Sequence, residues 1–104
     1  MKKMALTGGK IYTGTEIIEH RALLLDEGKI VGIVDDKDLA EEYQLLDVKG
    51  TNICAGLVDL QLYGDGSDLY SAELTLDSLE RISSGLIDKG TTSYMMTLAT
   101  NTIP

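Results

Sequence analysis

Hydrophobic and polar positions alternate over short stretches in the first half of this sequence and change period in the second. Met4 to Leu6 and Lys10 to Tyr12 read as strands parted by a Gly8-Gly9 turn, and Ala22 to Leu25 follows a polar loop punctuated by Gly14. Leu23 and Leu25 fall on one face of their strand. After Asp26-Glu27-Gly28 the β-branched run Lys29-Ile30-Val31-Gly32-Ile33-Val34 predicts the second arm of a hairpin. Together these strands imply an antiparallel layer. Asp35-Asp36 offers a cap for a short acidic helix over Asp38 to Tyr43, before Leu45 to Val48 returns as strand.

Gly50-Thr51-Asn52 is a polar break, and beyond it Ile53 to Leu62 is apolar almost throughout, with Asp59 the exception. That pattern predicts a strand buried on both faces, as in a parallel sheet. Tyr63 to Leu74 holds Gly64, Asp65, Gly66, Ser67 and Asp68 and is too rich in turn residues for a long regular element. Thr75 then caps a helix whose apolar stripe is Leu76, Leu79, Ile82 and Leu86, with Asp77 and Glu80 near its positive end. Lys89 and Gly90 close it. Thr91 to Leu98 reads as a second strand, so the segment has the order of a βαβ unit, whose crossover is right-handed.

Composition narrows the function. At 104 residues the chain suits a domain with a real core but is shorter than the ~250 residues of a complete (β/α)8 barrel. Nine Lys and Arg against seventeen Asp and Glu give a net charge of -8, which argues against nucleic acid as a partner. A hydrophobic share of 43% with 25% charged residues is that of a folded globular protein. No apolar run approaches the ~18 residues of a membrane helix, and the stretch after Met1-Lys2-Lys3 is too short for a signal peptide, so no membrane partner and a cytoplasmic location are expected. The single Cys54, between Ile53 and Ala55, is expected to be a small buried thiol rather than a nucleophile.

The phrase Ala55-Gly56-Leu57-Val58-Asp59-Leu60-Gln61, where a β layer feeds into an apolar strand, is similar to the barrel entrance of the amidohydrolase superfamily. That superfamily usually ends the phrase in His-x-His. Gln61 followed by Gly64 and Gly66 resembles instead its N-acetylglucosamine-6-phosphate deacetylase family, and so do the opening Gly9-Lys10-Ile11-Tyr12-Thr13-Gly14 and the later Gly90-Thr91-Thr92-Ser93-Tyr94 with Thr97-Leu98. The resemblance covers the whole chain. It implies an α/β chain in which residues 1–54 are part of an antiparallel β-sandwich and residues 55–104 are the first β-α-β of a TIM-barrel-like amidohydrolase domain, the barrel being incomplete.

The family chemistry so implied is metal-assisted hydrolysis of an acetamide. A divalent ion, zinc by expectation, polarises the carbonyl or activates water, and a carboxylate moves the proton. Ligands and carboxylate come from later barrel strands. The chain alone is therefore expected to hold no metal, to supply no catalytic residue and to be inactive towards its implied partner, an amino-sugar phosphate. Gln61 and Tyr63 are the candidate site-proximal residues, at the end of a strand where barrel enzymes place their chemistry; the plainer reading of Gln61 is a polar residue closing a strand. Two departures stand out. Ala55 replaces the usual proline, and Tyr63, a neutral phenol and a poor metal ligand, stands where Asn or His is usual, which argues against a two-metal site.

Other candidates have simpler readings. His20, between Glu19 and Arg21, reads as an exposed strand or turn residue. Asp59 reads as a structural carboxylate needing hydrogen-bond partners. Asp65, Asp68 and Glu73 lack the spacing of a calcium loop, Gly64-Asp65-Gly66 is no dinucleotide fingerprint, and Met95 and Met96 read as core filling. Two alternatives remain: a fragment of a cyclic-amide amidohydrolase of the dihydroorotase or hydantoinase type, or a non-catalytic module that self-associates through an exposed barrel edge.

Overall fold

A computed structural model describes residues 3–99 and resolves two compact units, Met1–Ala55 and Gly56–Pro104. In the first unit β1 (Met4–Thr7), β4 (Arg21–Asp26), β5 (Lys29–Asp35) and β6 (Gln44–Asp47) form a four-stranded sheet in the order β5-β4-β1-β6. The predicted hairpin is β4–β5. Glu27 and Gly28 both take positive φ, 51° and 75°, the requirement of a type I′ turn, and a bulge at Val31 interrupts the ladder between Leu24↔Gly32 and Leu25↔Ile30.

A second sheet of β2 (Lys10–Tyr12), β3 (Ile17–Ile18) and β7 (Asn52–Cys54) runs in the order β3-β2-β7. The layer expected to be antiparallel is mixed: β1 pairs with β6, and β2 with β7, in parallel. The cause lies in the path of the chain. Residues 44–54 run beside residues 4–12 from one sheet into the next, and the pairing continues through the bend where Val48 N–H donates to Thr7 O at 2.8 Å and Lys10 N–H to Thr51 O at 3.1 Å. Ala5, Ala22 and Leu23 of the first sheet and Ile11 of the second are buried, and Ile11, Leu23, Ile33 and Ile53 line one apolar cavity.

Two further expectations fail in this unit. The helix over Asp38 to Tyr43 does not form: a single 3-10 turn, Asp36–Asp38, gives way to extended Leu39, and Asp35 makes no side-chain cap bond. Six residues are too few to offset helix nucleation, and Leu39 and Tyr43, the apolar pair at helical spacing, are only half-buried. Cys54 is exposed, not buried. It sits on β7, an outer strand of its sheet, next to half-buried Ile53, and alternation along the strand turns the thiol the other way.

In the second unit β8 (Leu57–Leu62) and β11 (Thr91–Met96) pair in parallel, with α1 (Leu76–Ile87) between them in sequence. The apolar run from Ile53 is thus not one strand: it breaks at Ala55-Gly56, and its halves belong to different sheets. Nor is β8 buried on both faces. Leu57, Val58 and Leu60 are 58%, 63% and 73% exposed, since one helix and one neighbouring strand cover only the end at Leu62. Thr75 caps α1 as predicted, its Oγ1 accepting from Ser78 N–H at 3.1 Å, and Gly90 N–H donates to Ile87 O at 3.0 Å beyond the other end. Ile82 and Leu86 pack on Leu62, with Tyr70, Tyr94 and Met96 around them; Leu76 and Met95 are exposed. The last residues of the predicted barrel segment, 100–104, and Met1-Lys2 lie outside the described residues.

Candidate functional site

The carboxyl end of β8 gathers the polar groups of the second unit. Alternation puts Leu62 into the core, so Asp59, Gln61 and Tyr63 share the opposite face. Asp59 is half-buried and its Oδ1 accepts the backbone N–H of Gln61 at 3.0 Å. Gln61 Nε2 donates to the Tyr63 hydroxyl at 2.8 Å. The two residues singled out from sequence are therefore in direct contact. Both are exposed.

The segment beyond β8 is more ordered than a glycine-rich loop suggests. Strands β9 (Gly64–Asp65) and β10 (Asp68–Leu69) pair as a minimal antiparallel hairpin, and Tyr70 N–H donates to Tyr63 O at 3.0 Å. Cations on and just after α1 hold this hairpin. Arg81 donates to Asp68 through Nε at 3.1 Å and Nη2 at 3.0 Å and also pairs with Glu73, and Lys89 pairs with Asp65. The hydrogen bonds that Arg81 donates to Asp68 and Glu73 hold its guanidinium above its ordinary pKa. The three carboxylates are thus each satisfied by a protein cation. Deeper in the same unit, Ser83 Oγ and Tyr94 Oη lie 2.6 Å apart.

The contacts of Arg81 and the Ser83–Tyr94 pair were not visible in the sequence. The partners are 8 to 13 residues apart and sit on different elements, a relation that no local periodicity records. The available signal was the order of signs alone, acids in the loop and then cations on the helix. His20 is elsewhere, exposed in the first unit in the turn between β3 and β4 at φ 61°.

The donor set at Gln61 and Tyr63 does not fit a metal centre. An amide and a neutral phenol bonded to each other offer no anionic or imidazole ligand, and among the described residues no group of three or more His, Cys, Asp or Glu is placed to hold an ion. Among the described residues no helix is long and apolar enough to cross a membrane.

Residues 4–53 match the family described as the NagA composite domain. Over 98 residues, 94% of this chain, the sequence is 28% identical to N-acetylglucosamine-6-phosphate deacetylase of Haemophilus influenzae, covering 26% of that protein. The crystal structure of the Pasteurella multocida deacetylase superposes with a TM-score of 0.84 at 33% identity, over 90% of this chain and 25% of that one. This chain corresponds to the N-terminal portion of N-acetylglucosamine-6-phosphate deacetylase. A mutant deacetylase from Mycobacterium smegmatis, solved in complex with N-acetyl-D-glucosamine-6-phosphate, is a further structural neighbour, with a TM-score of 0.67 at 25% identity over 97% of this chain and 26% of that one. The chain spans about a quarter of the length of these deacetylases.

Proposed function

We propose that this chain serves as the N-terminal part of a metal-dependent deacetylase that hydrolyses the acetamide of N-acetylglucosamine 6-phosphate to glucosamine 6-phosphate and acetate, in the cytoplasm. Residues 1–54 supply part of a β-sandwich and residues 55–104 the first β-α-β of the barrel. The observation that carries this reading is the parallel β8-α1-β11 unit with Gln61 and Tyr63 at the carboxyl end of β8, the end at which barrel enzymes assemble their sites. By resemblance the family uses a divalent ion, zinc by expectation. Gln61 and Tyr63 are not a site for it, so its ligands and the proton-transferring carboxylate are assigned to later strands of the barrel. The role left to this chain is to present hydrogen-bonding groups at the rim and to shape the loop beside them.

A chimera tests this reading. The chain is exchanged for the matching N-terminal quarter of the Haemophilus influenzae relative, and acetate release from N-acetylglucosamine 6-phosphate is measured with added zinc, beside the chain alone. The expected result is turnover by the chimera and none by the chain alone. A folded chimera that hydrolyses a cyclic ureide and not the acetylated sugar phosphate overturns the substrate assignment; acetate release by the isolated chain at an enzymatic rate overturns the assignment of catalysis to later strands.

A further inference from the structure

Gln61 carries an amide whose two ends differ in hydrogen-bonding character, and at the rim of a site the end presented to a ligand determines what it accepts. Its backbone N–H is already taken by Asp59 Oδ1 at 3.0 Å, which fixes the strand at this residue. Its side-chain Nε2 is taken by the Tyr63 hydroxyl at 2.8 Å. Tyr63 is in turn set from behind. Its carbonyl accepts the N–H of Tyr70, and Tyr70 packs against the core of Leu62, Ile82 and Leu86. The main chain of Tyr63 is therefore tied to the hydrophobic core through one hydrogen bond, and its exposed phenol meets the amide of Gln61 from there.

We propose that Tyr63 is a positioning residue that engages the amide nitrogen of Gln61 and so presents the Gln61 Oε1 carbonyl as a hydrogen-bond acceptor at the end of β8. Neither Gln61 Oε1 nor the Tyr63 hydroxyl hydrogen is committed to another group among the described residues. The pair then offers an acceptor and a donor side by side. That combination suits a ligand group with one N–H or O–H beside one oxygen, such as a secondary amide or a hydroxyl. The ligand class rests on the deacetylase reading, whereas the orientation of Gln61 does not.

The test is spectroscopic and uses the chain itself. In isotopically labelled protein the side-chain NH2 signals of Gln61 are expected to be split and shifted away from those of exposed glutamines, and Tyr63→Phe, which keeps the ring and removes the hydroxyl, is expected to collapse them to the ordinary position. Gln61→Met supplies the reciprocal arm, shifting the ring signals of Tyr63 while the amides of β11 stay in place. Gln61 signals unchanged by Tyr63→Phe, or Tyr63 ring signals unchanged by Gln61→Met, overturn the proposal. In the chimera, Tyr63→Phe is expected to raise KM roughly tenfold with kcat little changed, the signature of one lost partner to a polar group that binds the ligand. If the parent chimera turns over the sugar phosphate and the variant equals it, the positioning role fails and the deacetylase reading stands; if the parent is inactive, that reading fails and the spectra still decide the orientation of Gln61.

Discussion

Ser78 is fully buried on α1, and its hydroxyl has no hydrogen-bond partner among the described residues. A buried hydroxyl that has left water without a replacement bond opposes folding, and alanine is also the better helix former. Ser78→Ala is therefore expected to stabilise the second unit by about 1 kcal/mol. Urea unfolding measures this, and a loss of stability would mean that the hydroxyl is bonded. Gly56 makes the opposite case. A Cβ there would overlap the Oγ1, Cγ2 and Cβ of Thr92, and because Thr92 is branched at Cβ no rotation of its side chain clears the space. Gly56→Ala must push β8 from β11 and is expected to cost about 1–3 kcal/mol, the range for overpacking. A change below about 0.5 kcal/mol, that of an ordinary surface substitution, would contradict the close approach.

Among the elements, α1 shows how a local rule yields to a tertiary contact. Gly85 is interior to the helix, where glycine costs about 0.8–1.0 kcal/mol relative to alanine. It is tolerated because the carboxylate of Asp65 lies against it, on the way to Lys89. Gly85→Ala alone is expected to be near neutral, the helix gain offsetting the displaced ion pair, whereas in an Asp65→Ala background it should stabilise by about 1 kcal/mol. Thermal or urea unfolding of the four proteins of this cycle gives the coupling, and equal effects in both backgrounds would remove Asp65 as the reason for the glycine. The same contrast separates what was legible from what was not. Thr75, Ile82 and Leu86 announce α1, and Asp26 to Lys29 announce the hairpin, because cap, stripe and turn are each written in neighbouring residues. The parallel pairing of β6 with β1, the break at Ala55-Gly56 and the ion pairs of Arg81 depend on where distant segments meet, which the local pattern does not encode. Asp38 to Tyr43 failed for a related reason: six residues are too few to offset helix nucleation, and Glu42 and Tyr43 meet the distant Lys3 instead. At the candidate site, Gln61 and Tyr63 were legible as residues through the family resemblance, and their mutual hydrogen bond was not.

For the molecule as a whole, the apolar side chains left exposed on the two-stranded sheet of the second unit bear on association. Leu57, Val58, Leu60 and Met95 are exposed on β8 and β11, and each strand has only the other as a neighbour among the described residues, so both outer edges lack a ladder. Such edges recruit further strands, either the following staves of a barrel or another copy of the chain. Opposing this is the net charge of -8, which repels copies at neutral pH. The two forces respond differently to salt. At roughly 0.01 M ionic strength the Debye length is about 30 Å and the repulsion acts across the approach of two molecules; at about 1 M it shrinks to ~3 Å, while burial of apolar surface persists. The isolated 104-residue chain is therefore expected to show a mass in light scattering that rises with protein concentration, and more steeply at high salt than at low. Replacing Leu60, the most exposed of the four, by lysine should reduce that rise by putting a charge on the face that would be covered. A constant monomeric mass at both salt concentrations, with β11 amides protected from hydrogen exchange, would mean that the two strands are complete without further partners, and would remove the reason to regard them as the opening of a larger sheet.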